Sequence, residues 1–303
     1  MKRYAVVAAT TLLGVVGIVA AAGAASGFGG GDSGRVVRAA KRIGPNHDFK
    51  RVTSLRRLRG VNFVSMCVFS HRNTDDPIVY PGQPGRSHDH TFIGNDTTNA
   101  FSSVATMRGG TSSCRRAGDT AAYWAPTLVG PGGQAIQPVV ATVYYRRHTL
   151  TPLQAFPDGF RMIAGNARAT SAQGLTVTSW NCGPQAGVRP QATVPTCPDA
   201  DRRGLALHVQ FPDCWDGINL DSPDHQSHMA YSTRGRCPAP HRVALPAIQL
   251  NLRYPSAGGT GLVLASGGQF SGHADFFNAW NPQELQRLVN RCLNGLRHCQ
   301  NRG

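Results

Sequence analysis

With 303 residues, 41% of them hydrophobic, the chain is long enough for one large domain or two small ones. Thirty-one Lys and Arg against 16 Asp and Glu leave a formal net charge of +15. Glu284 is the only glutamate, so a two-carboxylate glycosidase would need paired aspartates, and the eight cysteines contain no C-x-x-C, which argues against a zinc ribbon or thioredoxin motif.

Lys2 and Arg3 precede an uncharged stretch from Tyr4 to Ala25 that ends near the small-x-small pattern Ala22-Gly23-Ala24. Residues 1–25 therefore read as a secretory signal peptide. The alternative is a retained anchor, although its Ala and Gly content makes it only weakly apolar for a span. No later segment is apolar enough to cross a bilayer, so no stable membrane span is expected once the signal is removed. Residues 26–59 open on FGGGDSG and continue with many arginines and little apolar periodicity. They read as a basic, mostly disordered linker, either lying on an anionic surface or simply solvated.

The globular domain is expected over residues 60–303. VNFVSMCVF after Gly60 reads as its first strand. Further strands are predicted at Ala121–Trp124, Val139–Tyr145, Arg161–Ala164, Leu175–Ser179, Ala206–Phe211, Ala247–Leu252 and Leu262–Ala265. Their β-branched and aromatic content, with Gly and Pro between them, predicts mainly antiparallel sheet and long loops. Near the C-terminus, Asn281-Pro282 caps and starts a helix carrying Leu285, Leu288, Val289 and Cys292 at helical spacing. The fold expected is mainly β: a single β-sandwich or jelly-roll-like domain stapled by disulfides, with a C-terminal helix. An even cysteine count after an export signal points to an oxidising compartment. Cys292 and Cys299 are the local pair; the other pairings stay open.

Three polar motifs carry the chemistry. In PGRSHDHTFIGN, His88 and His90 share a face if the segment is a strand, and can supply two legs of a metal site or a base with its orienting partner. In FPDCWDGINLDSPDHQSHMAY, Asp224, His225, His228 and Tyr231 are candidate catalytic groups, whereas Asp213 and Asp216 read as loop scaffolding. Cys214 is expected to anchor this loop. In SGHADFFNAW, Asp275 lies two residues beyond His273, where a carboxylate can orient an imidazole. His88, His90, His225 and His273 are the candidate ligands of one divalent metal. Asn95, Trp215 and Trp280 are candidate substrate contacts. For each motif the bland alternative is a satisfied structural network. No G-x-S-x-G elbow, Walker loop or strand-linked G-x-G-x-x-G is present, which sets serine hydrolase and nucleotide chemistry aside.

The ordered set DPIVYPGQPGRSHDHTFIGN, AAYWAPTL, FPDCWDGINLDSPDHQSHMAY and SGHADFFNAW resembles a family of exported actinobacterial and fungal proteins catalogued as a domain of unknown function. Some fungal members of that family carry wall-binding WSC modules. The resemblance spans about Val61 to Cys292. Ile93 stands where a second aromatic is usual, and Ala274 and Ala279 where glycine is common. The resemblance implies membership and an extracellular compartment and carries no activity.

Three functions are expected from these residues. The first is a secreted or wall-associated carbohydrate-active enzyme acting on an acidic or cell-wall polysaccharide. It would be a lyase with His225 or His273 as base, Tyr231 as acid and Asn95 or an arginine as neutraliser, or a metal-assisted hydrolase. The second is a non-catalytic wall or glycan binding protein whose basic face is the adhesive surface. The third, weaker, is extracellular nucleic-acid binding or cleavage; the charge fits, but no recognised motif supports it. Arginine far outnumbers lysine, which occurs only at 2, 41 and 50, and suits bidentate contact with carboxylates or phosphates. Genome composition bias is the bland source of that excess.

Overall fold

The computed structural model describes residues 49, 52–183, 186–198 and 204–300. The expected signal peptide and most of the expected linker lie outside the described residues. The linker's last part does not follow the expectation. Leu55–Leu58 forms a 3-10 turn capped by Ser54, and Val52 and Leu58 are buried. The folded chain therefore includes Val52 onward. Apolar side chains spaced among the arginines find a surface to pack on, and Leu55 abuts the backbone of Gly235.

In chain order, β1 (Asn62–Cys67), β2 (Phe69–Asn73) and β3 (His90–Gly94) lead to helix α1 (Val104–Gly109). Next come β4 (Ala122–Pro126), β5 (Leu128–Val129), β6 (Ala135–Ile136), β7 (Val140–Arg146), β8 (Arg161–Gly165) and β9 (Thr178–Asn181). β10 (Leu205–Gln210), β11 (Cys214–Trp215), β12 (Met229–Ala230), β13 (Val243–Ala244) and β14 (Ala247–Tyr254) follow. The chain closes with β15 (Val263–Leu264), β16 (His273–Phe277), α2 (Pro282–Leu288) and β17 (His298–Cys299).

Two large sheets form the sandwich. The first has strand order β17-β1-β7-β14-β10-β9 and the second β2-β3-β4-β16-β8. All these pairings are antiparallel except β17 on β1. Alternate residues of β7 (Ala141, Val143, Tyr145) and β14 (Ile248, Leu250, Leu252) meet Ile93, Tyr123, Ala125, Ala274 and Phe276 of the second sheet in one core cluster. Burying a side chain of this size stabilises the fold by about 1.5–3 kcal/mol. The other face of the five-stranded sheet is covered too. Phe92, Ala122, Trp124 and Phe277 pack there with Ile78 from the β2–β3 loop and Met107 of α1. This second cover explains why β3 and β16 are buried at every position and show no polar alternation.

Leu175 sits half-exposed in a turn rather than a strand, because Val177 N donates to Gly174 O at 2.7 Å; β9 starts only at Thr178. The C-terminal helix is capped as expected, with Asn281 Oδ1 accepting from Glu284 N at 3.0 Å. It continues into a π-helical turn over Val289–Asn294. Four disulfides join Cys67 to Cys114, Cys182 to Cys197, Cys214 to Cys237 and Cys292 to Cys299. Among the described residues, no helix is long and apolar enough to cross a membrane.

Candidate metal centre

His90 opens β3 and His273 opens β16, with β4 between the two strands. His90 opposes Pro126 across the β3–β4 pair, and Asp275 opposes Trp124 across β4–β16. The His90 and His273 rings come within 6.0 Å of each other, centroid to centroid, across the Pro126 end of β4. His88, from the loop before β3, completes the group. Its ring centroid lies 4.2 Å from that of His90 and 5.0 Å from that of His273. Beside His273 the opposing residue is Gly165, at φ +82°, where a Cβ would fall 2.5 Å from Gly272 O.

One ring nitrogen from each of His88, His90 and His273 lies within 4.8 Å of the others. Two of the three tautomers are set by main-chain acceptors. His90 Nδ1 donates to Asp75 O at 3.1 Å, and His273 Nδ1 donates to Ser271 O at 2.9 Å. Each Nε2 therefore carries a bare lone pair. His90 Nε2 and His88 Nε2 are buried with no hydrogen-bond partner. Both shells are themselves braced. Asp75 accepts from Gly85 N and Ala100 N at 2.8 and 3.0 Å, fixing the loop whose carbonyl holds His90. Ser271 Oγ bonds Gly268 O and Ser266 Oγ, fixing the turn that holds His273.

Asp275 shares a face with His273, and its Oδ2 lies 4.0 Å from His273 Nε2. Both of its oxygens are buried without a partner, as is Trp124 Nε1 on the opposing strand. Burial lowers the pKa of all three histidines, that of His273 to about 4, and so keeps them neutral. Burial, helped by the Asp76 charge, pushes the Asp275 carboxyl well up. Neutral imidazoles with free lone pairs, beside an unsatisfied carboxyl that a bound cation would ionise, form a donor set for zinc or another imidazole-preferring divalent ion. Tetrahedral ligation at ~2.0–2.1 Å places ligand nitrogens about 3.4 Å apart, closer than the 4.8 Å within which these nitrogens lie, so binding would draw the rings inward.

The remaining candidates are distributed elsewhere. His225 is outside the three-histidine group, so the expected four-ligand set is not assembled. Its Nδ1 is held by Asp221 at 2.9 Å, and that partner raises its pKa. Its main-chain oxygen accepts from Ile163 N, tying this loop to β8. The charge of Asp76 acts on both His225 and Asp275. His228 is buried and fully used, with Nδ1 on Ser222 Oγ and Nε2 on Arg161 O, each at 2.8 Å. Asp224 is an exposed turn cap whose Oδ1 accepts from Ser222 Oγ, Gln226 N and both N and Oγ of Ser227, the pattern of a short acceptor closing its own turn. Asp216 caps its own turn by accepting from Ile218 N, and Asp213 ties the start of this loop to Ser232.

Tyr231 turns to the six-stranded sheet, where its hydroxyl donates to Gln210 O at 2.8 Å. Asn95 is wholly buried, its amide donating to Met107 O and Thr120 O, and Trp215 and Trp280 are core residues. Trp215 Nε1 donates to Asn219 O, and Trp280 Nε1 to Tyr145 OH. None of these three is placed to touch a substrate, and Asn95 and Tyr231 make their hydrogen bonds away from His225 and His273. Asp75, Asp76, Asp221, Trp124 and Ser271 belong to the site region and carried no catalytic spacing in the sequence. The adjacency of Asp75-Asp76-Pro77 and Ser271-Gly272-His273 was the only visible sign.

Fold and site together define a disulfide-stapled β-sandwich protein with a buried three-histidine cluster. The chain belongs to the family described as a domain of unknown function, DUF1996, whose model matches residues 76–280. That span contains His88, His90, His273 and Asp275. No curated protein and no solved structure matches the chain.

Proposed function

We propose that this is an exported protein that binds one divalent cation through His88, His90 and His273 and uses it to hydrolyse an acidic or cell-wall polysaccharide. The observation that carries the reading is the convergence of three ring nitrogens within 4.8 Å, with Nδ1 of His90 and of His273 held by main-chain oxygens so that each Nε2 keeps its lone pair. The uncharged N-terminal stretch and the four disulfides support export. A bound cation supplies Lewis acidity toward water or a sugar oxygen. Asp275, unpartnered beside it, is the group that can take a proton or complete the coordination.

A second reading has its own observation. Asp275 is 1% exposed, and with three histidines it would close a four-ligand site. Closed sites are structural, whereas catalytic sites keep one open position. The cation would then hold the β3 and β16 ends together in a non-catalytic glycan-binding protein.

The decisive measurement is metal content by mass spectrometry on tag-free secreted protein, followed by reducing-end assays on a polysaccharide panel. We expect about one equivalent of metal, lost in His90→Asn and His273→Asn but kept in His228→Gln. Wild-type protein without stoichiometric metal after purification from metal-supplemented medium sinks the reading. Metal without release of reducing ends on any acidic or wall polymer selects the structural alternative. Cobalt substitution distinguishes them further, since added azide changes the visible spectrum only where a coordination position is open.

A further inference from the structure

A second polar region lies away from the histidine cluster, where the Leu55–Leu58 turn meets the end of β7. It is a cleft of about 520 Å3 lined by Arg59, Arg146, Arg147, Arg234 and His148, and no carboxylate lines it. Arg147 is the unusual member, at 1% exposure. Its Nε donates to Thr149 O at 3.0 Å and its Nη2 to Leu150 O at 2.7 Å, so the guanidinium plane is fixed. Its Nη1 is buried with no partner. None of the ion pairs among the described residues includes Arg59, Arg146, Arg147 or Arg234. Burial alone pulls the Arg147 pKa down, to about 10, and no carboxylate holds it up. A buried cation without a counter-charge is costly unless something outside the chain supplies the anion. Arg146 is braced for the same task, its guanidinium 4.5 Å from the centre of the Tyr144 ring.

An adjoining cleft of about 510 Å3 shares His148 and Ser232 with the first, and is lined by His208, Gln210, Gln249 and Tyr231. Gln210 and Gln249 face each other in register on β10 and β14. His208 Nε2 is buried there without a partner. Asp213, the carboxylate of this second cleft, is occupied by Ser232 N and Oγ, each at 2.8 Å. One cleft therefore offers paired cationic donors for an oxyanion. The next offers the Gln249 amide and the Gln210 amide oxygen, whose NH2 is spent on Phe211 O and Ile248 O, together with an imidazole and a phenol ring, a set suited to hydroxyl groups and a sugar face.

We propose that the two clefts form one binding site for an acidic polysaccharide, a uronate carboxylate seated on Arg146, Arg147 and Arg234 and the adjoining sugar's hydroxyls on Gln210 and Gln249. This site uses none of the residues around the histidine cluster. Binding of oligogalacturonate to the intact secreted protein, measured by calorimetry, tests it. An uncharged cello-oligosaccharide and inorganic phosphate serve as the other probes. Arg146→Gln with Arg234→Asn is expected to weaken oligogalacturonate binding about tenfold or more. Arg234→Asn alone, at an exposed position with φ 53° that asparagine tolerates, should weaken it about threefold with folding intact. Metal content in both variants should equal wild type, and His90→Asn should still bind the oligosaccharide. Three outcomes overturn the proposal: an equal loss in the remote pair Arg168→Gln with Arg189→Gln, equal binding of the uncharged chain, or displacement of the oligouronate by phosphate at equal concentration.

Discussion

His90 and His228 are 0% and 1% exposed, yet the fold uses them in opposite ways. His228 spends both ring nitrogens on Ser222 and Arg161, so it is a crosslink between a loop and β8. His90 spends only Nδ1 and keeps Nε2 bare. Partner count, not burial, separates the crosslinking histidine from the one with a lone pair to spare. The same accounting applies to Asp119, buried at the sandwich centre, where Ser65 Oγ donates to it at 2.5 Å and Tyr123 OH at 3.1 Å. Burial raises its carboxyl from 3.8 to about 7 despite those bonds. The folded state thus holds a proton that the unfolded chain releases near pH 4. Its contribution to stability is full below that value and is lost as pH rises toward 7. Asp119→Asn removes this proton linkage, so melting temperature against pH should fall less steeply in the variant than in wild type between pH 4 and 7. Parallel curves would refute the assignment.

At the scale of elements, the C-terminal helix was legible because its start is a local matter: Asn281 supplies the cap and Pro282 the first helical φ. Asn281→Ala should cost about 1 kcal/mol, seen as a lower urea midpoint with unchanged slope. A loss near zero would mean that the packing of Leu285 and Leu288 carries the helix alone. β7 and β14 were equally legible, since one face is buried and the other partly open, giving the period of two. β3 and β16 carry no strand signal in the sequence, although the histidine cluster stands on them. Both faces of their sheet are covered, so HTFIG and HADFF carry no alternation to read. The turn at Leu55–Leu58 was hidden for the opposite reason: four arginines between 51 and 59 mask the one leucine, Leu58, that is buried.

For the whole molecule, the four crosslinks close loops of very different length. Cys67 and Cys114 are 47 residues apart, Cys292 and Cys299 only 7. In the chain-entropy account, the longer loop is worth about 4 kcal/mol and the shorter about 2.4 kcal/mol. Replacing the first pair by serine should therefore lower the urea midpoint more than replacing the second. The reverse order would show that the local packing around the π-helical turn outweighs loop closure.

The sequence by itself determined the class of fold, the oxidised cysteines, the C-terminal helix with its local disulfide, and the histidine-bearing motifs. Each of these rests on composition or on residues a few positions apart, where spacing and chemistry act directly. Only the tertiary structure decided which histidines meet. His88 and His90 reach His273 from more than 180 residues away, across an intervening strand, and register alone brings them together. It also withdrew Asn95, Trp215 and Trp280 into the interior, because a polar tip that finds a main-chain partner lets a large side chain be buried. And it isolated Arg147 from every carboxylate in reach, a property of three-dimensional neighbours that no run of arginines along a chain can display.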